Sequence, residues 1–185
     1  MISVVMPCYL GDYPGAASDR PTKLRRAIES FLAQGIGELV VVCDACQESF
    51  DIAKEYPISV YKLETKAPMF SGIPRQIGIN LAKNDYIAYL DCDDIMGEGH
   101  LQAIVDNMES PWLYWDDFVD DESRPVWLEF QHIGTSAIAH RKDLPCEWVE
   151  GYGHDWVFVQ QLMNFPSKKI EANYKVMHIP GRIDK

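Results

Sequence analysis

Apolar residues in the first half of the chain follow two alternating rhythms. Ile2–Met6, Leu39–Cys43, Ile58–Lys62 and Tyr86–Leu90 are rich in Val, Ile, Leu or Tyr. They predict strands, and three of them are near-continuous apolar runs, as expected for parallel strands covered on both faces. Between them the spacing changes to three and four. Leu24, Ala27, Ile28, Phe31 and Leu32 predict a helix, with Pro21 near its start and Gly35 at its stop. A second helix is predicted from Pro74 to about Lys83, after Gly72. A third carries Leu101, Ile104, Val105 and Met108 and ends near Pro111. Strands alternating with helices imply a parallel sheet with right-handed crossovers. Ligands of such sheets sit outside the carboxyl ends of the strands, so the residues just after Met6, Cys43 and Leu90 are the first place to look for chemistry.

After Pro111 the pattern loosens. Trp112–Asp120 and Pro125–Gln131 read as strands joined by the polar stretch Asp121-Glu122-Ser123-Arg124, and Gly134–His140 as another short strand. Asp155–Met163 has helical spacing, and Tyr174–Ile179 reads as a last strand. Without an internal repeat or a linker, residues 1–185 are expected to form one domain.

Composition narrows the class. The chain has 185 residues, 47% of them hydrophobic and 24% charged, which is ordinary for a globular protein. No apolar run reaches the roughly 18 residues of a membrane span. The N-terminus opens on an apolar strand without a basic region before it, so no signal peptide is read. A formal net charge of -11 gives no strong case for tight nucleic-acid binding and is compatible with acids gathered around a cation. Five cysteines, an odd count, fit a reducing cytoplasm. Cys43 and Cys46 have C-x-x-C spacing, but no second pair completes a zinc site, and they read as structural filler.

The strongest chemical signal is Tyr86-Ile87-Ala88-Tyr89-Leu90-Asp91-Cys92-Asp93-Asp94, an apolar strand that delivers three carboxylates within four positions. Like charges this close repel, so the cluster calls for a cation or a solvated loop. Hard oxygen ligands suit Mg²⁺ or Mn²⁺ bridging a carboxylate and a diphosphate.

This segment resembles the D-x-D region of inverting family 2 glycosyltransferases of the GT-A fold. Four further stretches match that family in order. Ser3-Val4-Val5-Met6-Pro7-Cys8-Tyr9 is similar to its opening strand and nucleotide loop. Arg26–Gln34 is similar to its first helix, and Glu38–Asp44 to its second strand. Pro74–Ala82 is similar to the helix that leads to the acidic motif. The resemblance implies an α/β GT-A fold, a mixed and mostly parallel sheet flanked by helices. It divides the chain into a nucleotide-binding half, about 1–97, and an acceptor half, about 98–185.

The resemblance also implies roles. Pro7 and Tyr9 would line the base pocket, with the Tyr ring against the base, and Asp44 would accept from the base's ring N–H. Arg75 would lie near the nucleotide as a cation. Asp91 would face the ribose or the metal, Asp93 would bind the metal, and His178 would complete the metal shell. Around Asp44 the sequence departs from the family, with Cys43 before it and Ala45-Cys46 after.

Gly151-Tyr152-Gly153-His154-Asp155-Trp156 resembles the family's acidic pair at the start of an acceptor-side helix, with His154 in place of the usual Glu. Asp155 would be the general base that takes the acceptor proton, with His154 as the alternative base because imidazole titrates near neutrality. Trp112, Trp115 and Trp127 are candidates for lining a sugar cleft, with core packing expected for at least two of them. The implied activity is transfer from a UDP-sugar, or next a dTDP-sugar, to a hydroxyl on a saccharide, a lipid-linked sugar, a protein or a modified nucleotide. The rival readings are a sugar-nucleotide binding protein without turnover and a sugar-1-phosphate nucleotidyltransferase. The second of these wants a Gly-rich basic loop after the first strand, which Pro7–Asp12 does not offer.

Overall fold

The central sheet is built around β1 (Ile2–Cys8), every residue of which is buried. A computed structural model of the chain describes residues 1–13, 16, 18–68 and 70–177. On one side β1 pairs in parallel with β2 (Glu38–Cys43), which pairs in parallel with β3 (Ser59–Lys62). On the other side it pairs in parallel with β4 (Tyr86–Tyr89). Pro7 has no N–H to donate, and alternate residues of β1 address β4. That register ends at Val5 opposite Tyr89, so proline falls where the β4 ladder has already stopped.

The sheet continues through β9 (Ile138–Arg141), antiparallel to both β4 and β6 (Trp112–Tyr114), and closes with β10 (Ser167–Lys169) parallel to β6. The order is β10-β6-β9-β4-β1-β2-β3. A second sheet of four strands has the order β5-β11-β7-β8, with β5 (Ile95–Met96), β7 (Asp117–Val119), β8 (Glu122–Arg124) and β11 (Tyr174–Val176).

The helices are α1 (Arg20–Leu32), α2 (Gln47–Ala53), α3 (Gly72–Leu81), α4 (His100–Val105) and α5 (His154–Leu162). Leu24, Ala27, Ile28 and Phe31 are the buried face of α1, as their spacing requires. α3 packs on β1 and β2. It can lie close because Gly78 has no side chain; a Cβ there would sit 2.3 Å from Val5 Cγ1. Among the described residues no helix is long and apolar enough to cross a membrane.

The expected mixed, mostly parallel α/β architecture is present, with corrections in the second half. Trp112–Asp120 is not one strand. It breaks at Trp115 and Asp116, and its two parts join different sheets. The stretch read as a connector holds β8 instead. Asp120 and Asp121 have φ of 53° and 61°. They form the two-residue loop of a hairpin in which Val119 faces Glu122, a loop that favours Asp, Asn and Gly. Pro125–Gln131 carries no strand; the Val126 N–H donates to the Asp116 carboxylate (2.7 Å), not to a ladder. Residues 135–137 form a 3-10 turn before β9. α2, β5 and β10 were not anticipated, being too short to show a period. Trp112 and Trp115 are fully buried, so the core claims both, while Trp127 is exposed.

Two histidines are sealed in this core. His100 packs edge-on between Trp115 and Tyr174, and among the described residues neither ring nitrogen has a hydrogen-bond partner. His140 Nε2 accepts from Tyr89 Oη at 2.7 Å. Burial holds the pKa of His100 down to about 3 and that of His140 to about 4. In the unfolded chain each takes a proton below about pH 6.5, which the fold refuses. Stability therefore falls as pH drops through 6.5 toward the folded values, by about 2 kcal/mol per histidine between pH 7 and 5. His100→Phe fills the same space without a titratable ring, and urea unfolding at the two pH values should show its stability changing less unfavourably than the parent's from pH 7 to 5, by about 2 kcal/mol.

Candidate active site

The carboxyl ends of β1, β2 and β4 open on one side of the sheet, and the loop after β3 folds over them. Tyr9 follows β1, and Asp44 follows β2, its N–H donating to Cys8 O at 2.8 Å. Asp44 is buried. Its Oδ1 accepts from the Ala67 N–H at 2.6 Å, and its Oδ2 lies 3.6 Å from Lys66 Nζ. The same ammonium stands 4.3 Å from the Tyr9 ring centroid. Tyr9 and Asp44 are thus brought together, with Lys66 between them. Pro7 is buried beneath this corner.

At the end of β4 the three acids separate by role. Asp94 turns inward. Its Oδ1 accepts from the Met177 N–H at 2.8 Å, and its Oδ2 accepts from Tyr174 Oη at 3.0 Å. Tyr174 Oη in turn accepts from the Asp91 N–H at 3.0 Å. Burial, then Asp91 and Asp93, pushes the Asp94 carboxyl well above the usual range. Asp94 pins the loop to β11. Asp91 and Asp93 remain half-buried at the crevice. The loop is also held from α1, where Arg26 Nη2 donates to Asp93 O at 2.7 Å.

Asp91 leads to Arg75, the most connected cation of the site and almost wholly buried. Arg75 Nη2 donates to Asp91 Oδ1 at 2.6 Å. Its Nη1 donates to Ser71 Oγ and meets His154 Nε2 at 3.0 Å. Its guanidinium carbon stands 5.3 Å from the Trp148 ring centroid. A guanidinium only donates, so His154 Nε2 must be the acceptor and the ring proton resides on Nδ1. Nδ1 donates to Gly151 O at 3.1 Å. Burial and then Arg75 lower the His154 pKa, so the ring is neutral and its lone pair already engaged. Asp155 sits in the first turn of α5, about one-third exposed, with Oδ1 3.5 Å from His154 Nδ1.

The approach of these parts depends on a glycine. At Gly72, the first residue of α3, a Cβ would come within 2.0 Å of Val149 O, so only glycine lets the start of α3 touch the segment that carries Trp148, Tyr152 and His154.

Among the described residues no group of three or more His, Cys, Asp or Glu is gathered as a cage for a metal ion. Asp91 and Asp93 fit a different arrangement, in which one or two carboxylates and a substrate diphosphate share an Mg²⁺ or Mn²⁺ with water. His178 lies outside the described residues.

Lys66, Ser71 and Trp148 were missed in the sequence. Lys66 had a signal, because it follows β3 at the same sheet edge as the other site loops. Ser71 and Trp148 had none, since their roles arise only where α3 meets the 147–154 segment. One prediction tests the network directly. Arg75→Met removes the cation facing Nε2, so the His154 pKa should rise, read by NMR titration of its ring. An unchanged value would mean that burial alone sets it.

Comparison with known proteins identifies the frame. S. aureus (strain N315) TarP, a poly(ribitol-phosphate) beta-N-acetylglucosaminyltransferase, is 28% identical over 111 residues. That match covers 56% of this chain and 31% of TarP. A crystal structure of S. aureus TarS 1-349 superposes with a TM-score of 0.74 at 17% identity, covering 95% of this chain and 60% of that one. The same TarS piece in complex with UDP-GlcNAc gives a TM-score of 0.73 at 18% identity, covering 98% and 59%. The chain thus spans less than two thirds of the length of these relatives. At such identities the superpositions speak for the fold, which is GT-A. The family rests on a longer match: residues 3–163 fit the profile of Glycosyl transferase family 2, and the chain belongs to that family.

Proposed function

We propose that the chain transfers a sugar from a UDP-linked donor to an acceptor hydroxyl, inverting the anomeric carbon. The observation that carries this reading is the Arg75 guanidinium. It holds Asp91 of the D-x-D segment by one nitrogen and His154, beside Asp155, by the other. Donor-side and acceptor-side acids thereby flank one fixed cation. The UDP donor is supported by the similarity to TarS, which has been crystallised with UDP and with UDP-GlcNAc. A dTDP-sugar presents the same ring N–H to Asp44 and is the second choice.

In this reading Tyr9 stacks on the base and Asp44 accepts from its ring N–H. Mn²⁺ or Mg²⁺ would be held by Asp93 and Asp91, where it would offset charge on the leaving diphosphate. Asp155 takes the proton of the acceptor hydroxyl as that oxygen attacks the face opposite the diphosphate. His154 keeps its place as a strut for Arg75, because its lone pair is spoken for.

Calorimetry with UDP tests the donor half. Affinity should be higher in Mn²⁺ than in EDTA, and Asp93→Ala should lower the Mn²⁺-supported affinity by at least about tenfold, about 1.4 kcal/mol. Equal affinity in both buffers would remove the metal from the reading.

Turnover tests the acceptor half. Asp155→Asn should leave UDP affinity nearly unchanged and lower turnover by about 100-fold or more. His154→Ala should cost less. The reverse order would assign the base to His154.

A further inference from the structure

Three exposed aromatic rings run outward from the start of α5. Phe70 lies 5.9 Å from the His154 ring, Tyr152 6.1 Å from Phe70, and Phe130 6.3 Å from Tyr152, measured between centroids. They are 43%, 74% and 46% exposed. Exposed rings in a continuous row are unusual on a soluble surface and mark a place where something binds. Phe70 is also held at φ 76°, a backbone conformation that a bulky residue rarely adopts. Tyr152 is steadied by Gln131 Nε2, which donates to its Oη at 3.2 Å. The row is braced at its outer end as well, where a Cβ at Gly153 would stand 3.1 Å from Phe130.

The character of the row identifies its occupant. The rings are tilted or edge-on to one another and carry polar groups among them, the Tyr152 hydroxyl and the Gln131 amide. That mixture suits a ligand with flat apolar C–H faces and a rim of hydroxyls, which is a pyranose chain. Charge narrows it further. Segments 127–134 and 147–155 supply Phe130 and Tyr152 and contain four carboxylates, Glu129, Glu147, Glu150 and Asp155, with no Lys or Arg. On the inner side of the row, Arg75 is committed to Asp91 and His154, and Lys66 to Asp44 and Tyr9. A phosphate-bearing polymer would meet like charge along this row.

We infer that Phe70, Tyr152 and Phe130 form an acceptor platform for an uncharged saccharide, and that it disfavours phosphate-linked polymers such as the one in the name of TarP. The inference rests on the proposed transferase reading for the place of Asp155, whereas the platform itself rests on the rings and the charge.

The test uses the full chain, with UDP and Mn²⁺, on an array of immobilised neutral oligosaccharides, phosphate-bearing glycans and poly(ribitol phosphate). Neutral oligosaccharides should retain the protein and the phosphate-bearing ones should not. Tyr152→Ala should lower retention by about tenfold, and Tyr152→Phe, which keeps the ring, should hold most of it. Both variants should bind UDP like the parent by calorimetry, since Tyr152 lies away from the base corner and is too exposed to disturb the fold. Retention on poly(ribitol phosphate) equal to or above that on neutral glycans would overturn the inference. So would an unchanged Tyr152→Ala, or an array on which no neutral glycan binds. Tyr152-dependent glycan retention without UDP binding would support the platform and overturn the donor reading instead.

Discussion

A guanidinium taken out of water must be paid for in partners, and Arg75 sets the terms for everything near the crevice. It is almost fully buried, so each of its contacts is a requirement and not an ornament. Asp91 supplies the counter-charge, Ser71 and His154 supply neutral acceptors, and Trp148 covers the face. Of the four, Asp91 matters most, because its removal would leave the buried guanidinium without a counter-charge. The four partners come from three separate parts of the chain: the end of β4, the start of α3 and the 147–154 segment. Their joining is therefore a tertiary event, and the position of α5 relative to the acidic loop follows from it.

The same requirement explains why His154 stands where the family usually has Glu. A Glu beside Arg75 would compete with Asp91 for one cation and add a buried charge. A neutral imidazole accepts from Arg75 at Nε2 and donates to Gly151 O from Nδ1, which extends the network without further charge. The lowered pKa of the ring is a result of this geometry, with burial first and the guanidinium second.

How much of this could be read from the sequence depended on whether a signal was local. The parallel half was legible because β1, β2 and β4 are short apolar runs buried on both faces, and α1 repeats at three and four. The acidic motif was legible because three carboxylates follow one strand. The second half was legible only in part: α5 and β11 fall where the pattern put them, but other elements do not, for identifiable reasons. Trp112–Asp120 reads as one strand because nothing in it announces the break at Trp115 and Asp116; that break is fixed by partners from elsewhere, Ala137 O and Val126 N–H. β8 was hidden in a polar run because it is an exposed strand at the end of its sheet, paired with β7. The site candidates divide in the same way. Tyr9, Asp44, Asp91 and Asp93 stand at strand ends that the topology rule picks out, whereas Ser71, Trp148 and the row from Phe70 to Phe130 exist only after folding. In Asp91-Cys92-Asp93-Asp94 the inward turn of Asp94 was likewise invisible, since its partners Tyr174 and Met177 lie 80 and 83 positions away.

The contact of Lys66 and Ala67 with Tyr9 and Asp44 has a thermodynamic consequence. In the proposed reading the base enters a corner already furnished by the chain's own ammonium and amide, so its occupancy would be an exchange and not an addition. Whatever enters gains only the difference between its own contacts and those it evicts, and the measured affinity understates the strength of either set. The segment that holds Asp44 is also the one that carries Phe70 and Ser71. In that reading, a movement that freed Asp44 would be felt first at Ser71, a few peptide bonds along, and so at its partner Arg75.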